Sequence, residues 1–148
     1  ARHIAGFSAE PARIYWQLDD GYAELLPVMK TDITLTYGNK VLIIDAKYYK
    51  RTLQKNFDVH SIHSANLYQI FTYVKNKDTE LGNIPHEVAG MLLYAKTEEE
   101  LYPDNSYRMS GNRISVKTLD LNREFAEIRR QLDNIACGYF GLDPGQQR

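Results

Sequence analysis

The sequence predicts an α/β fold, a central mixed β-sheet flanked by helices, and three observations carry that expectation. "TDITLTY" (31–37) alternates apolar and polar side chains, as a half-buried strand does. "VLIIDAKYY" (41–49) and "EVAGMLLYA" (87–95) are apolar runs of strand length, which suits strands covered on both faces. "SIHSANLYQIFTYVKNK" (61–77) and the stretch after Asn122 carry apolar residues at helical spacing. The order strands, helix, strand, hairpin, helix is that of a sandwich around a mixed sheet.

Taken in turn, "ARIYWQL" (12–18) has strand composition and "DDGYAEL" after it has turn residues, so a hairpin is expected there, with Trp16 at the core or its rim. Gly38-Asn39 supplies the turn between the strands at 31–37 and 41–49. A basic loop follows, and then a helix with Leu67, Ile70, Phe71 and Val74 on one face and Ser61 or Ser64 as N-cap. Residues 107–121 form a second hairpin around Ser110-Gly111-Asn112. The last helix sets Phe125, Ile128, Leu132, Ile135 and Tyr139 toward the core and stops at Gly138 or Gly141.

The chain of 148 residues fits one domain, and 43% hydrophobic with 25% charged residues excludes disorder. Its apolar runs fall far short of the roughly 20 residues that cross a bilayer, so a soluble protein is expected. Cys137 has no partner for a disulfide or a zinc site, which points to a reducing, cytoplasmic compartment. "ARHIAGF" shows neither an initiator Met nor a targeting segment, as in a domain cut from a longer protein. A net charge of -1 does not gather nucleic acid by itself, but residues 40–55 set Lys40, Lys47, Lys50, Arg51 and Lys55 against Asp45 alone.

A two-residue turn at Gly38-Asn39, or a four-residue loop 37–40, gives one hairpin register, whereas a three-residue loop would set Asp32 opposite Ala46 and on the other face; the first register is favoured. Tyr37 then faces Lys40, and Asp32 faces Asp45. Asp32, Thr34, Val41, Ile43, Asp45 and Lys47 share one face, and Ile33, Leu35, Leu42, Ile44 and Ala46 the other. Two carboxylates about 5 Å apart repel by roughly 3 kcal/mol at an effective dielectric near 20. Lys47 pairing with one acid, protonation of one acid, or a divalent cation between them would each offset that repulsion. Mg²⁺ suits the third option, because it takes hard oxygen ligands, needs only one or two carboxylates, and leaves its other positions to water and phosphate. Gln69 and Tyr73 project together at i and i+4 from the following helix.

"MKTDITL", then "IIDAKYY", then "NLYQIFTY" resemble the PD-(D/E)xK nuclease superfamily, in particular its RecB-like members with a Q-x-x-x-Y motif. The stretch from residue 27 to 76 looks like the nuclease region of McrC-like subunits of McrBC-type modification-dependent restriction systems. The resemblance implies a restriction-endonuclease-like core, with residues 1–148 a single nuclease domain from the C-terminal part of a longer subunit. It implies a Mg²⁺-dependent DNA endonuclease, with Mn²⁺ as a substitute. Asp32 and Asp45 match the metal-binding acids, the main-chain carbonyl of Ala46 completes the protein's share of the shell, and Lys47 matches the lysine near the attacking water. Gln69 matches the glutamine that positions water or phosphate, and Tyr73 closes the motif. Thr31 stands where the family has proline, which supplies no ligand. Double-stranded DNA, a GTP-driven McrB-like motor and a second nuclease copy on the DNA are the partners implied.

A further acid common in such enzymes has only Glu10 and Glu24 as weak candidates here. Lys50, Arg51 and Lys55 follow the lysine strand and suit sequence-independent contacts to the DNA backbone. His60 and His63, near Asp58, have metal-ligand spacing but more often cap a helix. His3 and His86 suggest no role, and "TEEELYPD" (97–104) reads as an acidic surface loop. An inert PD-(D/E)xK-like binding module and a RecB-like nuclease acting from DNA ends are the alternatives.

Overall fold

A computed structural model describes residues 7–48, 53–56, 59–95 and 103–142. Its centre is a six-stranded mixed sheet in the order β1 (Phe7–Glu10), β4 (Ile33–Tyr37), β5 (Lys40–Lys47), β8 (Glu87–Ala95), β10 (Asn112–Leu119), β9 (Asn105–Met109). The β4–β5 and β9–β10 pairs are antiparallel hairpins, whereas β5, β8 and β10 run parallel. Two helices, α1 (Ser64–Leu81) and α2 (Phe125–Phe140), cover opposite faces. This is the expected restriction-endonuclease-like architecture.

The alternation of side chains along the strands sorts the core into two layers. Val41, Ile43, Val88, Leu92, Ile114 and Val116 pack with Ile70, Tyr73 and Val74 of α1. Leu35, Leu42, Ile44, Ala89, Met91 and Leu93 pack with Ala136 and Phe140 of α2. Because β5 and β8 are buried on both sides, they read as nearly continuous apolar runs, whereas β10 alternates Ile114 and Val116 with Arg113, Ser115 and Lys117. Gly90 lets α1 lie close to β8, since a Cβ there would sit 2.7 Å from both Ile70 Cγ1 and Val74 Cγ2.

Gly38 has φ +60 while Asn39 keeps a negative φ, the pattern of a type II′ turn, and Tyr37 pairs with Lys40. The register expected from the two-residue turn is therefore the one observed. At the other hairpin Ser110 and Gly111 both have positive φ, which defines a type I′ turn between Met109 and Asn112.

Other elements differ from expectation. Only Arg13–Ile14 of the stretch 12–18 forms a strand, β2, and it pairs with the distant β3 (Met29–Lys30). Trp16 instead rests half-buried on the core and donates its indole N–H to the Pro27 carbonyl at 2.8 Å. The basic loop contains a two-stranded ribbon, β6 (Leu53–Asn56) with β7 (Val59–Ile62). Helix α1 is capped at His63, because Ser61 belongs to β7 and Ser64 is already helical. Helix α2 passes through Gly138 and ends at Gly141, whose αL conformation lets its N–H reach the Cys137 carbonyl. Phe125 is 80% exposed and Leu132 40%, so of the expected core-side residues of α2 only Ile128, Ile135 and Tyr139 pack against the core.

Candidate functional site

Asp45 lies near the C-terminal end of β5, paired with Leu92 of β8 and one residue past the last β4 pair, and is only 5% exposed. Parity along the strand places it on the α1 face with Val41 and Ile43, which carries Lys47 to that face as well. Asp32 occupies a bend one residue before β4, beyond the last ladder pair Ile33–Ile44, and is exposed. Its Oδ2 accepts the Ala46 N–H at 2.8 Å, which holds Asp32 at the end of β5. Burial pushes the Asp45 carboxyl above the usual carboxylate range, Lys47 pulls it down, and the adjacent Asp32 carboxylate pushes it up again. The repulsion anticipated from the register is thus present.

Lys47 Nζ is 2.9 Å from Asp45 Oδ2 and donates to Gln69 Oε1, also at 2.9 Å. Gln69 in turn donates from Nε2 to the Tyr73 hydroxyl at 2.8 Å. Lys47, Gln69 and Tyr73 therefore form one polar relay running from the strand end into the first half of α1, with its far end packed in the core. Residues 22 positions apart in sequence meet because the β5–α1–β8 crossover lays α1 over the parallel pair.

The buried Asp45 Oδ2 meets Lys47 as an ion contact but accepts no well-aligned hydrogen bond. An anionic oxygen left with spare coordination, beside a second carboxylate, fits a hard divalent cation. The donors brought together here are the two carboxylates, Asp32 and Asp45. Among the described residues no cluster of three His, Cys, Asp or Glu side chains forms a metal site, and two carboxylates suffice for Mg²⁺.

The remaining candidates are scattered. Lys50, Arg51 and Asp58 lie outside the described residues, as does His3. Lys55 stands in β6 opposite His60 of β7. His63 takes the N-cap position of α1 without a side-chain capping bond. Glu10 ends β1 opposite Thr34, and Glu24 accepts the Tyr22 hydroxyl at 2.7 Å in an exposed loop. Of 97–104 only Pro103 and Asp104 are described, and Asp104 pairs with Lys117.

Two supporting residues escaped the sequence. Thr31 is 4% exposed; its N–H donates to the Ala12 carbonyl at 2.9 Å, and its hydroxyl accepts the Ala12 N–H at 3.0 Å and meets the Thr34 hydroxyl at 2.8 Å. It pins the segment that carries Asp32, using an N–H that a proline at this position would lack. Asn66, buried on α1, donates to the Tyr94 hydroxyl at 2.9 Å and fixes the helix start against β8. A polar side chain at a position of the helix facing the sheet was the available signal.

No family model matches the chain. Residues of the chain are 33% identical, over 137 positions, to the "Type IV methyl-directed restriction enzyme EcoKMcrBC" of Escherichia coli strain K12. The match covers 89% of this chain and 38% of that protein, so the chain spans well under half of its relative.

Proposed function

This chain is homologous to an McrBC-type restriction enzyme, and from that premise we propose that it is the Mg²⁺-dependent endonuclease domain of an McrC-like subunit. The domain hydrolyses phosphodiester bonds of double-stranded DNA together with a GTP-driven McrB-like motor, and two copies meet to cut both strands. The observation that carries this reading is the Asp45–Lys47–Gln69 arrangement with Asp32 beside Asp45.

In this mechanism Asp32, Asp45 and the Ala46 carbonyl hold the metal. When bound, a divalent cation polarises the phosphate and lowers the pKa of a coordinated water. Lys47, held between two acceptors, donates to the water or to a phosphate oxygen and offsets the negative charge that grows in the transition state. Gln69 fixes the Lys47 ammonium and is itself fixed by Tyr73, so little reorganisation is needed when the substrate arrives. Burial of Asp45 keeps bulk water from screening these charges.

The test is cleavage of circular methylated and unmethylated DNA by the complete assembly with GTP and Mg²⁺. Asp45→Ala and Lys47→Ala each lower cleavage by about 100-fold or more, the scale of removing one group that stabilises the transition state. If neither changes the rate, the assignment of this site fails; if only linear DNA is cut, the chain acts from ends instead.

A further inference from the structure

On the sheet face away from Asp45, a groove of about 770 Å³ opens between the β9–β10 hairpin and α2. Its floor includes Met91 and Ser115, paired neighbours in the parallel ladder. Along the hairpin the same face carries three rows: Arg108 opposite Arg113, Ser106 opposite Ser115, and then Lys117. Successive rows lie about 7 Å apart along the strands.

Arg108 and Arg113 stand directly opposite each other, an arrangement that destabilises an antiparallel pair. Among the described residues no carboxylate forms an ion pair with either one. The two acids lining the groove are committed elsewhere, Asp104 to Lys117 at 2.5 Å and Asp120 to Arg123 at 2.9 Å. Burial, with Glu87, holds the Tyr139 hydroxyl on the groove wall well above the usual phenol range, and the charges of Arg113 and Arg108 oppose that rise. In the next row the Ser106 and Ser115 hydroxyls lie 3.0 Å apart, leaving acceptor and donor capacity toward a ligand. On the opposite wall Gly138 of α2 presents no side chain, and a Cβ there would meet open space.

We propose that this groove binds the phosphodiester backbone of nucleic acid, with Arg108 and Arg113 clasping one phosphate and the serine row contacting the sugar-phosphate chain beside it. An anion between the opposed arginines offsets a repulsion that no ion pair among the described residues offsets, and the planar guanidinium suits a phosphate in two-point contact. The choice of nucleic acid as the phosphate ligand rests on the nuclease reading above. The groove provides a grip separate from the cleavage centre, in a protein whose net charge of -1 gives no general attraction to DNA.

The experiment is anisotropy of a labelled DNA duplex and of a labelled single strand against the full chain in EDTA, repeated over a salt series. Arg108→Ala/Arg113→Ala is expected to weaken binding about 10-fold and to reduce the salt slope by about one, for the one phosphate that the pair no longer neutralises. The Arg→Lys pair retains most of the slope. Gly138→Glu fills the groove with a like-charged group and weakens binding, while Gly138→Ala does not, and both keep the helix because either residue favours it over glycine. Unchanged affinity and slope in the double alanine variant overturn the proposal. So does equal competition by inorganic phosphate or by a polyglutamate peptide, which would mark a general anion site. Cleavage by the complete assembly, measured in parallel with Asp45→Ala, reports on the nuclease reading independently of either result.

Discussion

Thr31 shows how a departure from a motif can be compensated locally. Its N–H and hydroxyl tie Asp32's segment to Ala12 and Thr34, so Thr31→Pro, although it brings the residue of the motif this segment resembles, is expected to destabilise the fold by about 2–3 kcal/mol by removing buried hydrogen bonds. Chemical denaturation measures this, and an unchanged midpoint would refute it. Asp45 behaves in the opposite sense. Its folded pKa is raised, so its ionised form opposes folding at neutral pH, and the penalty disappears as pH falls through that raised value. Asp45→Asn is therefore expected to raise the melting temperature by about 2–4 °C in chelator, the shift that about 1 kcal/mol produces in a chain of this size, while abolishing cleavage. A lower melting temperature would contradict the account of burial given above.

At the scale of elements, the site depends on how closely α1 approaches the sheet. Gly90→Ala places a methyl group against Ile70 and Val74 and is expected to cost about 1–3 kcal/mol as overpacking. Because the displaced helix carries Gln69, cleavage falls more than stability alone explains; melting and cleavage assays on the same variant separate the two. The far end of α1 is tied to the start of β8 by His86, whose ring meets Asp78 at 2.5 Å and the Ile84 carbonyl. These partners raise the His86 pKa. The stabilisation is complete below the ordinary value near 6.5 and is lost as pH rises through the folded value. His86→Gln is expected to flatten that part of the melting profile, and an identical slope in both proteins would exclude the link. The β4–β5 register, the α1 stripe and β8 were legible because periodicity and a two-residue turn constrain them strongly. The residues around Trp16 were not, since aromatic and β-branched composition suits a loop packed on a core as well as a strand. The β6–β7 ribbon, two strands of four residues each, is too short for its alternation to stand out. Phe125 and Leu132 follow helical spacing, but their exposure depends on where α2 leaves the sheet, which no local pattern encodes.

Across the whole molecule, the sheet separates two charged regions: paired carboxylates toward α1 and opposed arginines toward α2. No helix among the described residues is long and apolar enough to cross a membrane. A cation that binds only the folded chain stabilises it in proportion to the logarithm of its concentration. Mg²⁺ or Mn²⁺ is thus expected to raise the wild-type melting temperature and leave Asp45→Asn unmoved, whereas equal shifts in both would place the cation elsewhere. The candidate site was legible in the sequence because register arithmetic joins Asp32 to Asp45, but the Lys47–Gln69 contact needed the crossover, whose geometry is set only when the helix packs. The two carboxylates also differ in mechanical character. Asp45 is paired with Leu92 of β8 and buried against the core. Asp32 sits on a bend past the end of its ladder, tethered by the single Ala46 N–H. One carboxylate is anchored in the sheet and the other hangs on one tether, so Asp32 is expected to be the more mobile of the two, a difference that side-chain relaxation measurements would detect.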